Sequence, residues 1–136
     1  MAARTFSDVG RFVGLPYDVR HLDCADLVLL VQRELFGAVR ALPAKRPRPL
    51  QPEAQALALA AATGQLAQRT ELPQDGDLVL MYDGAQALPG HAGTWFFLDF
   101  EPWVLHCSNA LGESRLHRMR DLPGLGLRVE GVYRWI

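Results

Sequence analysis

The sequence predicts a single α+β domain in which helices come first and an antiparallel sheet follows. The chain has 136 residues, which is room for one domain. Hydrophobic residues make up 49% and charged residues 21%, as is typical of folded proteins. The hydrophobic period changes from helical before residue 70 to strand-like after it, and helices followed by strands favour the α+β class.

Charge and composition exclude several classes of partner. Fourteen Lys and Arg against fifteen Asp and Glu leave a net charge of -1, so no overall field would gather nucleic acid or anionic lipid. No apolar run approaches the roughly 20 residues of a membrane span, and the N-terminus lacks a signal-peptide pattern. We therefore expect the protein to be made in the cytoplasm without a signal peptide. Two cysteines, Cys24 and Cys107, are too few for a disulfide framework.

The helical half begins with a short helix over Phe6–Val13, which Gly14 and Pro16 would end. The most regular helix follows Asp23, with apolar residues at 27, 28, 30, 31 and 35 and Gly37 near its end. Asp23 fits the N-cap, because its carboxylate can accept hydrogen bonds from amides of the first turn. The prediction therefore places Cys24 at the first helical position.

A proline-rich segment and an alanine-rich segment follow this helix. Residues Pro43–Pro52 contain four prolines, which predict an exposed loop that could be a lid or docking element. Residues Glu53–Gln68 predict a helix ending near Gly64.

Strand-like runs fill most of the second half: Asp77–Tyr82, Ala92–Leu98, Trp103–Cys107 and Arg128–Trp135. The second and third runs predict a hairpin with its turn near Asp99-Phe100, in which His91 lies opposite His106. The basic stretch Ser114–Arg120, which contains His117, is interpreted as a solvated helix or loop.

A cysteine at a predicted helix start and two histidines on a predicted hairpin indicate thiol chemistry. A cysteine at a helix N-terminus is biased toward thiolate, although Asp23 and Asp26 beside Cys24 would raise its pKa unless they point away. An imidazole that takes the proton, oriented by a second group, completes the arrangement of a nucleophilic hydrolase. Cys24, His91 and His106 are therefore the candidate catalytic residues. The same three could instead bind zinc, but the short ligand spacings of common zinc sites are absent.

Four segments in order resemble the NlpC family of papain-like cell-wall cysteine peptidases. Gly14-Leu15-Pro16-Tyr17 with Leu22-Asp23-Cys24-Ala25-Asp26-Leu27-Val28 is similar to the nucleophile motif, and Pro73-Gln74-Asp75-Gly76-Asp77-Leu78-Val79 to the turn and first strand. Gly90-His91-Ala92-Gly93-Thr94-Trp95 and Trp103-Val104-Leu105-His106-Cys107-Ser108 resemble the two strands that carry the family's histidine and its third polar residue.

The resemblance implies a papain-like core and hydrolysis of amide bonds in peptidoglycan stem peptides, with no cofactor or metal. Cys24 would attack the carbonyl, His91 would act as base and then acid, and His106 would orient His91. Tyr17 takes the place of a family tyrosine, and its hydroxyl with the Cys24 amide would stabilise the oxyanion.

Two departures from the family pattern concern the rim of the cleft. Ala25-Asp26 replaces the usual Ser-Gly, and Asp18-Val19-Arg20-His21 replaces a Gly-Gly loop. We therefore place Asp23, Asp26 and His21 among the candidate substrate-contacting residues. The compact chain is most similar to members carried by phage tails and related particles, which implies synthesis in the bacterial cytoplasm, tail-tip or hub proteins as partners and the virion as location.

Three function classes stay open from the sequence. A peptidoglycan peptidase or amidase needs a reactive Cys24. A structural particle component could keep the fold without the activity, which Asp26 favours. An acyl or amide transferase would use the same thioester chemistry with an amine as acceptor.

Overall fold

The computed structural model describes residues 3–42 and 52–136 and confirms the α+β class with an antiparallel sheet. In these ranges the elements are α1 (Phe6–Gly10), α2 (Cys24–Phe36), α3 (Pro52–Leu66), β1 (Ala67–Arg69), β2 (Leu78–Asp83), β3 (His91–Leu98), β4 (Glu101–Cys107), β5 (Ser114–Arg118), a 3-10 helix (Met119–Leu125) and β6 (Leu127–Trp135). Among these elements no helix is long and apolar enough to cross a membrane.

The six strands form one sheet in the order β1-β6-β2-β3-β4-β5, with every neighbouring pair antiparallel. Two of these strands are absent from the sequence prediction, and both lie at an edge. The interpretation of Ser114–Arg120 as a solvated helix or loop is wrong: Ser114–Arg118 pairs with β4, and the 3-10 helix begins at Met119. Edge strands commonly carry charged side chains, so their sequences look like those of solvated loops.

Helix α2 begins and ends as predicted. The Asp23 carboxylate accepts from the Asp26 amide at 3.0 Å, and the Asp26 carboxylate accepts from the Asp23 amide at 3.0 Å. This reciprocal capping box makes Cys24 the first helical residue. Gly37 ends the helix with φ 65, a left-handed conformation that glycine adopts without steric cost.

The other two helices differ from their predicted bounds. Helix α1 ends at Gly10 rather than Val13. Helix α3 starts at Pro52 and continues through Gly64 to Leu66, where β1 begins. The predicted proline-rich loop was Pro43–Pro52. Its residues 43–51 lie outside the described residues, and Pro52 begins α3 instead of ending the loop.

The two faces of the sheet have different coverings, and this arrangement positions the candidate site. On one face, called here the helix face, buried residues of α2 such as Leu27 and Val28 pack against alternate sheet residues such as Ala92 and Leu105. On the opposite face, Met81, Trp95 and Val104 pack with Leu122 of the 3-10 helix. Side chains therefore alternate between the α2 side and the 3-10 side along each central strand.

Candidate active site

The β3–β4 hairpin sets the relative position of two of the predicted site residues. Its turn consists of Asp99 and Phe100, with φ 49 and 63, as a tight hairpin with two left-handed residues requires. Pairing starts directly at Leu98 and Glu101, so His106 lies opposite Gly93. The predicted pairing of His91 with His106 is wrong by two residues. Because side chains alternate with period two, this shift leaves both histidines on the same face.

The missing side chain at Gly93 leaves room for the two imidazoles. A Cβ built on Gly93 would lie 2.6 Å from Val104 Cγ1 and 3.2 Å from His106 Cβ. With glycine there, His91 Nε2 and His106 Nδ1 are 2.8 Å apart and hydrogen bonded. Both rings are buried, with His106 fully covered and His91 exposed by 5%.

A third histidine extends this pair to three rings, called here the histidine row. His117 on β5 places its Nδ1 2.8 Å from His106 Nε2, so the three rings follow one another as His91, His106 and His117. His117 is only partly buried, which brings the row from the sheet interior toward the surface. Sequence reasoning missed this residue because it depends on the edge strand β5. The alternation of Arg115 and His117 in a β-compatible run was the available signal.

Burial keeps the three rings neutral at pH 7. It lowers the pKa of His91 from 6.5 to about 4, against the opposing influence of the Asp83 carboxylate. It lowers the pKa of His106 to about 3, with smaller contributions from the neighbouring His91 and His117. The pKa of His117 is also lowered, first by burial and then by Arg115, while Asp121 opposes the shift.

Cys24 lies on the helix face, partly buried against the residues around Val28 and Ala92. Burial raises the pKa of its thiol, and the nearby groups Cys107 and Asp26 act in the same direction. Hydrogen bonding from the backbone amides of Ala92 and Ala25 lowers that pKa but is the smaller effect. The helix N-terminus therefore does not make Cys24 a resting thiolate in this structure, and the residue is a neutral thiol at pH 7.

The thiol and the histidine row both lie at the start of β3, but on different faces of the sheet. Cys24 packs with Ala92 on the helix face, whereas His91 is paired with Met81, which belongs to the 3-10 side. The Ala92 amide that interacts with the Cys24 sulfur belongs to the peptide bond joining Ala92 to His91. Within residues 3–42 and 52–136, no hydrogen bond directly joins Cys24 to the His91 ring. Because His91 Nε2 is occupied by His106, Nδ1 is the nitrogen left to exchange a proton with a thiol. The structure thus brings His91 and His106 into contact and brings Cys24 to the adjacent backbone amide.

The other candidate residues lie along the segment that leads into α2. Asp23 and Asp26 form the capping box and are partly buried. Tyr17 is partly buried against the cluster around Leu27, and its amide donates to the Gly112 carbonyl at 3.0 Å. His21 is exposed, with its Nδ1 3.3 Å from the Asp18 carboxylate.

The second cysteine lies on the opposite face of the sheet from the histidine row. Cys107 is fully buried in the helix-face cluster. The histidine row directs its ring nitrogens at one another, at 2.8 Å, rather than at a shared point. In the part of the chain that the structure describes, no group of three His, Cys, Asp or Glu side chains is placed to hold a metal ion.

No protein-family model matches the sequence, and no curated protein matches it at a significant level.

Proposed function

We propose that this protein is a papain-like cysteine peptidase that cleaves amide bonds in peptidoglycan stem peptides. The observation that carries the proposal is the sequence of groups at the start of β3: Cys24 opens a helix and packs with Ala92, and the residue before Ala92 is a histidine hydrogen bonded to a second histidine. Nucleophile, base and orienting group are the three parts that such chemistry needs. The choice of stem peptides rests on the four segments that resemble NlpC-type enzymes.

The first half of the proposed reaction forms a thioester. The Cys24 sulfur attacks the amide carbonyl carbon, and the thiol proton passes to His91 Nδ1. This step requires the His91 ring, at the first residue of β3, to come within hydrogen-bond distance of the sulfur. The C–N bond then breaks, and the leaving amine takes that proton from His91, which acts as acid after acting as base. His106 accepts from His91 Nε2–H and so stabilises the imidazolium while it exists.

The second half releases the product. Water attacks the thioester carbon and gives one proton to His91, the C–S bond breaks, and the sulfur recovers the proton as a thiol. With an amine in place of water, the same steps would give transfer, the alternative that the sequence leaves open.

A neutral resting thiol determines when the proton moves. Because burial raises the pKa of Cys24 and lowers that of His91, an ion pair between them is disfavoured before substrate arrives. We expect proton transfer to be coupled to the attack on the carbonyl. The Cys24 amide belongs to the first turn of α2, whose N–H groups lack helical partners, and it is the proposed oxyanion donor together with the Tyr17 hydroxyl.

The experiment compares the intact protein, Cys24→Ala and Cys107→Ala on purified peptidoglycan and soluble muropeptides, with products identified by mass spectrometry. We expect new amine and carboxylate ends from the intact protein and from Cys107→Ala, and none from Cys24→Ala. Cys107 is the matched control because it is the other cysteine of the chain and is fully buried among apolar residues of the helix face. Equal products from Cys24→Ala would contradict the proposal.

A structural protein that keeps the fold without the activity is the second candidate. The raised pKa of Cys24 and the acidic neighbour Asp26 favour it. It predicts a Cys24 thiol that reacts with iodoacetamide no faster than a free cysteine, and no muropeptide products. Carriage on a phage tail or related particle, with tail-tip or hub proteins as partners, stays a prediction under either function.

A further inference from the structure

The hydrogen bonds of the histidine row restrict where its protons lie. Each neutral imidazole carries one N–H, and each of the two ring-to-ring bonds needs one donor and one acceptor. His91 Nε2 faces His106 Nδ1, and His106 Nε2 faces His117 Nδ1. Two proton arrangements therefore satisfy the row: every ring protonated at Nε2, or every ring protonated at Nδ1.

Only one of these arrangements suits a base at His91. With protons at Nε2 throughout, the rings donate in the direction His91 to His106 to His117, and His91 Nδ1 keeps a free lone pair for a proton. With protons at Nδ1 throughout, His91 Nδ1 already carries hydrogen and cannot accept another. Nε2–H is also the form that a neutral histidine side chain prefers in water.

The surroundings of His117 suit the arrangement in which every ring of the row is protonated at Nε2. Its ring is partly exposed, so an outward Nε2–H can donate to water, whereas His91 is buried. The charged groups that influence His117 are Arg115 on its own strand and Asp121 on the 3-10 helix. At the other end, Asp83 on β2 is the charged group that influences His91.

We propose that His117 is a positioning residue: by accepting at Nδ1 from His106 Nε2–H, it holds His106, and through it His91, in the tautomer that leaves His91 Nδ1 free. This inference rests on the proposed function for its purpose, but the tautomers themselves do not depend on catalysis. His117 contacts neither Cys24 nor the proposed scissile bond and acts only through His106.

The test measures the tautomers directly by long-range ¹H–¹⁵N correlation spectra of the histidine side chains at pH 7. In the intact protein we expect His91 and His106 as neutral Nε2–H rings. In His117→Ala we expect His106 and His91 to show a mixture of Nε2–H and Nδ1–H forms, because water in place of His117 can either accept from or donate to His106 Nε2. In His117→Asn we expect Nε2–H to be retained, since the amide oxygen can lie where Nδ1 lay.

Two controls keep the spectra interpretable. The His21 signals should stay unchanged in both variants, because that exposed ring pairs with Asp18. Backbone amide spectra report whether each variant is folded, and His117→Asn supplies a second folded protein if the alanine variant is not. Nδ1–H signals from His91 in the intact protein, or unchanged tautomers in His117→Ala, would overturn the proposal.

Activity, once muropeptide cleavage is measured, supplies a separate readout. We expect His117→Ala to lower kcat about tenfold with KM unchanged, as for other groups that orient a functional histidine, and His117→Asn to restore most of it. If the intact protein cleaves nothing, the proposed function fails while the spectra still decide the tautomer assignment. If it cleaves and His117→Ala has normal kcat, the positioning role fails alone.

Discussion

Cys24 and the histidine row are held in place by different kinds of structure. Cys24 is positioned by contacts within four residues, because the Asp23–Asp26 capping box defines where α2 begins. The histidines come from three strands and meet only because the registers of β3–β4 and β4–β5 place them on one face. The nucleophile side of the candidate site is therefore a local feature, and the base side is a long-range one.

The nucleophile side and the base side of the candidate site also have different electrostatic surroundings. Backbone amides of a helix start and of β3 reach the Cys24 sulfur and partly offset the effect of burial on its pKa. The histidine row has mainly other neutral rings as partners, and burial lowers the pKa values of His91 and His106 far below 6.5. Acid should therefore affect the histidine side first.

The largest expected effect is loss of stability in mild acid. His91 and His106 have pKa values of about 4 and about 3 in the folded protein, below the ordinary 6.5 that they regain on unfolding. Below pH 6.5 the unfolded chain binds protons that the folded chain does not, so the free energy of unfolding falls as pH falls. Between pH 7.5 and pH 5 the loss is about 2 kcal/mol for each histidine, measured by urea unfolding.

The matched variant for this prediction is His106→Asn, which removes one depressed histidine and keeps an acceptor for His91 Nε2–H. Its unfolding free energy should depend less on pH over the same window. A stability that stays constant from pH 7.5 to pH 5 would show that the rings are not desolvated as the structure places them.

An intermediate loss of stability is expected at Gly93, where the histidine row depends on the close packing of β3 against β4. Gly93→Ala would place a Cβ 2.6 Å from Val104 Cγ1 and 2.9 Å from the Leu105 carbonyl oxygen, so the hairpin must shift. We expect a loss of about 2 kcal/mol in urea unfolding. Gly64→Ala in α3 is the control: outside its chain neighbours and its own helix backbone, no heavy atom of the described residues lies within 4 Å of its built Cβ. A gain of about 0.5–1 kcal/mol is expected. Equal stabilities of the two variants would refute this assignment of Gly93.

The smallest expected effect is a change in the pKa and reactivity of the Cys24 thiol. Asp26→Asn removes a charge that raises the pKa of the thiol while an amide oxygen can still accept from the Asp23 amide. We expect a lower thiol pKa and faster alkylation by iodoacetamide at pH 7, with stability changed by less than about 0.5 kcal/mol. Asp18→Asn, which alters an exposed carboxylate beside His21, should leave the alkylation rate unchanged. A thiol pKa that rises in Asp26→Asn would contradict the charge effect.

Local sequence signals were sufficient for part of the fold and of the site. Both ends of α2 could be predicted, its start from Asp23 and its end from Gly37, because helix caps depend on residues a few positions apart. The central strands β2, β3, β4 and β6 were visible as apolar runs, since both faces of the sheet are covered. The edge strands β1 and β5 were missed because their exposed, charged residues lack that signal.

By itself, then, the sequence determined the fold class, the start of α2 at Cys24 and the presence of two histidines on neighbouring strands. Tertiary structure alone decided that His106 lies opposite Gly93, that His117 joins the row, and that Cys24 packs against the cluster that contains Ala92. The physical reason is range. A helix cap is closed by atoms a few residues apart, whereas strand register and the burial that sets these pKa values arise only when distant segments pack together.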